Sequence, residues 1–310
     1  MGISKLFAGK YWKWRGQSGI LKGSYMSHKK VAYYRKGNYM RCLTFDVKNS
    51  GSQDYAALYL YLLDDSPAIA IHKRPLVLIC PGGGYTHTSD REAEIVAMQF
   101  CAMGYHAAVL RYSVAPAVFP AAILEVGKSV SMIRENAAEW FVDPERIAVL
   151  GFSAGGHLAA SYCTHWDQDW MTENLEKDQE ILRPNAMILG YPVITSGEFA
   201  HQGSFKNLLG EEYETKKDSL SLENCVTDQT PKAFIWHTCA DGAVPVQNSM
   251  LLVSALLAHN IPVEYHIFEK GGHGLSLANR LTGSIGHGPE RAAEEWIHLV
   301  HRWMENWIAE

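Results

Sequence analysis

The chain has 310 residues and a formal net charge of −5. With 47% hydrophobic and 20% charged residues it has the balance of a globular protein, which excludes a disordered chain and a fibrous repeat. The charge is uneven: residues 1–50 hold eleven Lys/Arg against Asp46 alone, a net +10, while the remaining 260 carry −15.

Residues 1–40 show neither helical nor strand periodicity. Beyond them, strand and helix patterns alternate. Apolar or alternating runs at 41–47 and 56–62 predict two strands, joined by a turn at Asn49-Ser50-Gly51-Ser52. A short strand at 75–80 runs into Pro81-Gly82-Gly83-Gly84. A helix over 90–103 follows, with Ser89 and Glu92 spaced as a capping box and Gly104 as its stop. Next come a strand at 106–110, a long helix over 119–140 with Pro120 in its first turn, and a buried strand at 146–150. Gly151-Phe152-Ser153-Ala154-Gly155-Gly156 then opens a helix reaching about residue 164. Strands at 186–189, 233–237 and 263–268, a helix over 246–258 and a final helix over 290–307 complete the chain. The final helix has a core-facing stripe at 296, 299, 300, 303 and 307. This alternation predicts an α/β protein with a mainly parallel sheet, helices on both faces and a ligand site at the carboxyl ends of the strands. The expected division is a basic, aromatic-rich arm over 1–40 and one catalytic domain over 41–310.

No apolar run approaches the roughly 20 residues of a membrane span. The N-terminus has no secretory core, and Leu6 stands where a myristoylation motif wants Ser or Thr. The expected location is the cytoplasm, unless a signal peptide has been removed. The six cysteines are scattered without a C-x-x-C pair and read as small buried hydrophobes. None of the 14 histidines falls into a ligand pattern, so no metal and no cofactor are expected.

Three predicted strand ends carry complementary polar residues. Ser153 lies in G-x-S-x-G, directly after a strand and before a helix. Such a turn holds the serine in a strained conformation, needs small residues at minus two and plus two, and lifts the hydroxyl out of the sheet. Asp241 follows the strand at 233–237, and His273 follows the strand at 263–268. A serine hydroxyl is a poor nucleophile until an imidazole takes its proton, and a carboxylate fixes the imidazole tautomer. Ser153, Asp241 and His273, in that chain order, are therefore the candidate catalytic residues. The glycines after the strand at 75–80 admit an oxyanion to backbone N–H groups, so Gly83, Gly84 and Ala154 are the candidate oxyanion donors. A phosphate cradle is the rival use of such a loop, but neither G-x-G-x-x-G nor a following Lys-Ser/Thr is present. Tyr85, His87 and Trp236 are candidates for bordering an acyl pocket, with His201, Ser204 and Phe205 as a further rim. Arg111 and Glu125 are a candidate buried ion pair, and His157 and His237 read as structural.

Together with Ser89-Asp90-Arg91-Glu92, Leu110-Arg111-Tyr112, Asp143-Pro144-Glu145-Arg146-Ile147, Gly190-Tyr191-Pro192, Trp236-His237-Thr238 and Gly272-His273-Gly274, these motifs resemble the bacterial carbohydrate-esterase branch of the α/β-hydrolases. That branch includes acetyl xylan esterases and feruloyl-esterase-like enzymes and is related to the hormone-sensitive-lipase group. The resemblance covers about residues 41–305. It implies a cofactor-free serine esterase that removes acetyl or similar groups from sugars, often xylan fragments. Pro81 departs from the hormone-sensitive-lipase pattern, which has His there; the donors should survive, with altered neighbouring hydrogen bonds. The competing activities are an arylformamidase and a peptidase of the same fold, and, in another class, a non-catalytic binding protein.

The basic arm interleaves Tyr11, Trp12, Trp14, Tyr25, Tyr33, Tyr34 and Tyr39 with its cations. Nucleic acid is one reading of that pattern. The preferred one is an arm packing on the acidic body, on a second subunit of a homodimer, or as part of a lid, with no nucleic acid and no membrane as partner. The expected partner is a small-molecule or oligosaccharide ester.

Overall fold

The computed structural model describes residues 40–283 and 288–309, so the expected arm over residues 1–40 lies, except for Met40, outside the described residues. The strands are β1 (Arg41–Asp46), β2 (Ala57–Leu62), β3 (Arg74–Cys80), β4 (His106–Arg111), β5 (Val142–Phe152), β6 (Ala186–Gly190), β7 (Ala233–Thr238) and β8 (Val263–Phe268). They form one sheet in the order β1-β2-β4-β3-β5-β6-β7-β8. β2 runs antiparallel to β1 and β4; every other pairing is parallel. The helices are α1 (Glu94–Ala102), α2 (Ala121–Glu135), α3 (Ala137–Trp140), α4 (Ser153–His165), α5 (Asp169–Leu175), α6 (Gln179–Leu182), α7 (Gln202–Leu209), α8 (Tyr213–Lys216), α9 (Gln247–Ala258), α10 (Arg291–Glu294) and α11 (Trp296–Ala309).

The apolar runs explain the layering. β6 and β7 are buried at every position and β3 at all but its first residue, as strands covered on both faces must be. One face packs Leu78, Val149 and Ile235 against α2, α4 and α9 through Val126, Val130, Leu158 and Leu252. The other packs Val77, Ile79, Phe152 and Trp236 against α1 and α11 through Val96, Phe100, Trp296 and Val300. Strand alternation thus sends neighbouring residues of β7 to opposite layers.

Four local expectations need correction. Glu92 does not cap a helix: Asp90–Glu92 is a single 3₁₀ turn without a side-chain cap, and the Glu92 carboxylate is buried elsewhere. Arg111 and Glu125 do not pair. Arg111 bridges Asp90 and Glu94, while Glu125 accepts from the hydroxyls of Ser52 and Ser113 and from the Ser113 N–H. The long helix over 119–140 is broken at Asn136 into α2 and α3, with Pro120 at the N-cap. Of the six cysteines, Cys80, Cys101 and Cys163 are buried as expected, but Cys225 is only half-buried, and Cys42 and Cys239, the latter in the loop after β7, lie exposed.

Two buried histidines make stability depend on pH. His106 accepts the Leu63 N–H at Nδ1 and donates to the Phe141 carbonyl. His157 has the Tyr85 hydroxyl at Nδ1 and donates to the Leu220 carbonyl. Burial, chiefly, pushes each imidazole down to about 4. The unfolded rings titrate near 6.5. Between about pH 6.5 and pH 4 the unfolded chain therefore binds protons that the folded chain does not, and stability falls as pH falls. Each ring contributes a loss of about 3 kcal/mol across that window. Urea midpoints should drop clearly from pH 7 to pH 5; a flat profile would show that the folded rings take up protons as readily as the unfolded ones.

Candidate active site

The loops after β3, β5, β7 and β8 meet at the carboxyl end of the sheet. β5 delivers Ser153, the first residue of α4, at φ +52, a left-handed conformation that costs a non-glycine residue of order 1–3 kcal/mol. The sharpness of this turn needs Gly155: a Cβ there would lie 2.1 Å from the carbonyl oxygen of Cys80, at the end of β3. This is the steric cause expected from the motif. The turn also leaves the Ala154 N–H in the first turn of α4, where negative charge is favoured.

The structure brings Ser153, His273 and Asp241 into one line. Ser153 Oγ lies 2.7 Å from His273 Nε2, and His273 Nδ1 lies 2.7 Å from Asp241 Oδ2. Facing a carboxylate, Nδ1 is the donor, so the neutral ring presents Nε2 to the serine as the acceptor. Asp241 is held from the other side too. Its Oδ1 accepts the N–H groups of Ala243 and Val244 at 3.0 and 2.9 Å, and His237 Nε2 stands 3.3 Å from Oδ2. Burial alone would raise the carboxyl's pKa, but the hydrogen bonds from His237 and His273 outweigh it and hold the group well below the usual carboxylate range.

The second requirement is a place for negative charge on oxygen. The Gly83–Gly84 segment lies beside Ser153, since a Cβ on the preceding Gly82 would come 2.9 Å from the serine Cβ. Gly83 has φ +137, and a Cβ there would lie 2.1 Å from the His87 carbonyl oxygen, so the loop closes only with glycine. The N–H groups of Gly83 and Gly84 meet no acceptor among the described residues, whereas the Gly82 N–H is taken by Glu92. Tyr112 donates to the Pro81 carbonyl at 2.6 Å, and Asn207 of α7 donates to the Gly84 carbonyl at 2.8 Å.

The three pocket candidates separate. His87 is exposed beside the glycine loop, its Nδ1 engaged by the Thr86 hydroxyl. Tyr85 and Trp236 must be withdrawn as pocket walls. Tyr85, at φ +58, turns beneath the loop, is 2% exposed and places its hydroxyl on His157. Trp236 is wholly buried, stacked on Trp296 in the layer under α11, because alternation along β7 sends it there. Within α7, Ser204 and Phe205 are buried, with Phe205 edge-on to His157. His201 is half-buried; burial, and secondarily the nearby His273, lower its pKa.

Sequence reasoning missed α7, Glu92, Tyr191 and the contact of His237 with Asp241. A spacing of four residues between His237 and Asp241 carries no contact signal across a strand end and a loop. Among the described residues, no group of three or more His, Cys, Asp or Glu could hold a metal ion, and no helix is long and apolar enough to cross a membrane.

A mainly parallel eight-stranded sheet with a serine on the turn after β5 and polar residues on the loops beyond β7 and β8 defines an α/β-hydrolase. The chain belongs to the BD-FAE family, whose pattern matches residues 65–256. It is similar to the crystal structure of an acetyl ester-xyloside bifunctional hydrolase from Caldicellulosiruptor lactoaceticus, with a TM-score of 0.71 and 39% identity over 81% of this chain and 88% of that one. Endo-1,4-beta-xylanase B of Butyrivibrio fibrisolvens is 36% identical over 243 residues, which are 77% of this chain and 37% of that protein. The acetylxylan esterase of Xylanibacter ruminicola is 30% identical over 204 residues, 64% of this chain and 40% of its own length. The chain thus spans about two fifths of the length of these curated relatives.

Proposed function

We propose that the chain is a serine carboxylesterase that removes acyl groups, acetyl foremost, from carbohydrates such as xylan fragments. The observation that carries this reading is the continuous hydrogen-bonded line from Ser153 through His273 to Asp241, set beside the N–H groups of Gly83 and Gly84, which meet no acceptor among the described residues. Ser153 Oγ attacks the ester carbonyl as His273 Nε2 takes its proton. The carbonyl oxygen becomes an oxyanion, met by the N–H groups of Gly83, Gly84 and Ala154. Collapse breaks the bond to the sugar oxygen, which leaves with the proton from His273, and the acyl group stays on Ser153. Water then repeats the sequence on the acyl-enzyme, releasing the acid and restoring the serine. Asp241 keeps the imidazole in the required tautomer and stabilises the imidazolium. Two similar proteins, an acetylxylan esterase and an acetyl ester-xyloside bifunctional hydrolase, support acetylated sugars as the substrate class.

A fluorophosphonate probe should label Ser153. Across a panel of acetylated xylo-oligosaccharides, feruloyl esters, acyl chains of rising length, a peptide and N-formylkynurenine, kcat/KM should be highest for the acetylated sugars and fall as the acyl chain grows. Absence of label would return the chain to the class of binding proteins. Preference for N-formylkynurenine or the peptide would replace the esterase with an arylformamidase or a peptidase.

A further inference from the structure

Three carboxylates are buried among the described residues: Glu92, Glu125 and Asp241. Asp241 belongs to the line just described, and Glu125 gathers serine donors away from it. Glu92, only 4% exposed, has no part in the proposed chemistry, yet both its oxygens reach the loops that bear it. Oε2 accepts the N–H of Gly82 at 2.8 Å, the residue directly before the candidate oxyanion donors. Oε1 accepts the hydroxyl proton of Tyr191 at 2.6 Å. The same Tyr191 oxygen accepts the N–H of Ser276, three residues beyond His273, at 2.8 Å. The Tyr191 ring stands edge-on to the His273 ring, with centroids 5.2 Å apart. A single buried chain of hydrogen bonds therefore joins the glycine loop, through Glu92 and Tyr191, to the histidine loop.

The far end of this chain is itself anchored. The Ser276 hydroxyl donates to the Arg91 carbonyl at 2.5 Å, and Trp296 Nε1 donates to the Ser276 carbonyl at 2.9 Å. Tyr191 and Ser276 both hold positive φ, at 37° and 53°, conformations that persist only where the surroundings over-determine them. For filling space alone, an apolar side chain at position 92 would serve better than a buried carboxylate, which must be desolvated. What the carboxylate supplies is a fixed distance between two loops that sequence places about 190 residues apart.

We propose that Glu92, acting through Tyr191, is a positioning residue that sets the spacing between the Gly83 and Gly84 donors and the His273 ring. The inference rests on the esterase reading. Neither side chain touches substrate; both determine whether the oxyanion donors and the base face the same carbonyl group at once. Such a role acts on the transition state and leaves ground-state binding untouched.

The test uses the full chain with p-nitrophenyl acetate and the variants Glu92→Ala, Glu92→Gln, Tyr191→Phe and Glu92→Ala/Tyr191→Phe, each checked for folding by its thermal midpoint. Glu92→Ala should lower kcat about tenfold to a hundredfold, the cost of misplacing reacting groups by up to about 1 Å, with KM within about twofold of the parent. Affinity for a phenylboronic acid, which forms a tetrahedral adduct on the serine, should fall in step with kcat/KM. Glu92→Gln keeps an acceptor for Gly82 and should fall between parent and Glu92→Ala. The double variant should lose little beyond Glu92→Ala, since both side chains serve one connection. If Glu92→Ala fails to fold, Tyr191→Phe, which removes one oxygen and keeps the ring, carries the test. Folded variants with parental kcat, a loss confined to KM, or additive losses would overturn the positioning role alone. A parent protein that hydrolyses no ester and takes no fluorophosphonate would overturn the esterase reading, and this role with it.

Discussion

A Ser153→Ala protein should fold as its parent does and hydrolyse p-nitrophenyl acetate with kcat lower by a factor on the order of 10⁶. The loss follows from the proposed mechanism, in which the three residues act as a unit: without Oγ, the general base at His273 has no proton to take and no acyl-enzyme forms. The residual rate would come from the Gly83, Gly84 and Ala154 N–H groups acting on water-mediated hydrolysis. Folding should survive because alanine keeps the backbone at the elbow and loses only the 2.7 Å contact with His273. Steady-state kinetics with a thermal midpoint on the same sample decides it; turnover retained by a folded Ser153→Ala protein would remove the serine from the mechanism.

Asp241→Asn should lower kcat by about four orders of magnitude with little change in KM. The surroundings dictate which way the new amide faces. The Oδ1 position receives the N–H groups of Ala243 and Val244, so an asparagine must put its oxygen there. Its NH₂ group then takes the place of Oδ2, facing His273 and His237. His273 Nδ1 can answer a donor only as an acceptor. Its proton moves to Nε2, and the ring that should accept a proton from Ser153 offers one instead. His237 meets the same difficulty. Its Nε2 also donates to the Val244 carbonyl at 2.9 Å, and the Ser249 hydroxyl at 2.5 Å occupies Nδ1, so it cannot readily turn away. The variant should therefore be somewhat less stable than its parent as well as slow. A kcat within tenfold of the parent would show that Asp241 does not fix the tautomer; the measurement is kcat against pH at saturating substrate.

The sheet and the candidate serine, aspartate and histidine were legible because their signals are local. Apolar runs of strand length mark β3, β6 and β7, and the positions of Ser153, Asp241 and His273 follow from where those strands and β5 and β8 stop. Gly83 and Gly155 were legible for the same reason: each stands where a backbone passes within the reach of a Cβ. The misreadings concern contacts without a local signal. Glu92 looked like a cap because Ser89 precedes it at the right spacing, yet its partners, Gly82 and Tyr191, lie on two other loops. Arg111 and Glu125 were matched by charge, but serine hydroxyls already satisfy Glu125. Tyr85 and Trp236 have the chemistry of pocket walls; a positive φ turns the first beneath its loop, and strand alternation turns the second into the layer below α11. The segment that forms α7 offered only His201, Ser204 and Phe205 as a rim, although its Asn207 holds the Gly84 carbonyl.

The φ of +52 at Ser153 also bears on how such a chain can evolve. Only glycine occupies that conformation freely, and glycine cannot be a nucleophile. On the proposed mechanism, selection for a stable fold and selection for chemistry therefore favour different residues at this position. Drift that traded the hydroxyl for glycine would relax the backbone and silence the protein in the same step. A lineage that keeps its serine there therefore stays below the stability its own fold permits, and its reserve against further mutation must come from the two apolar layers around the sheet.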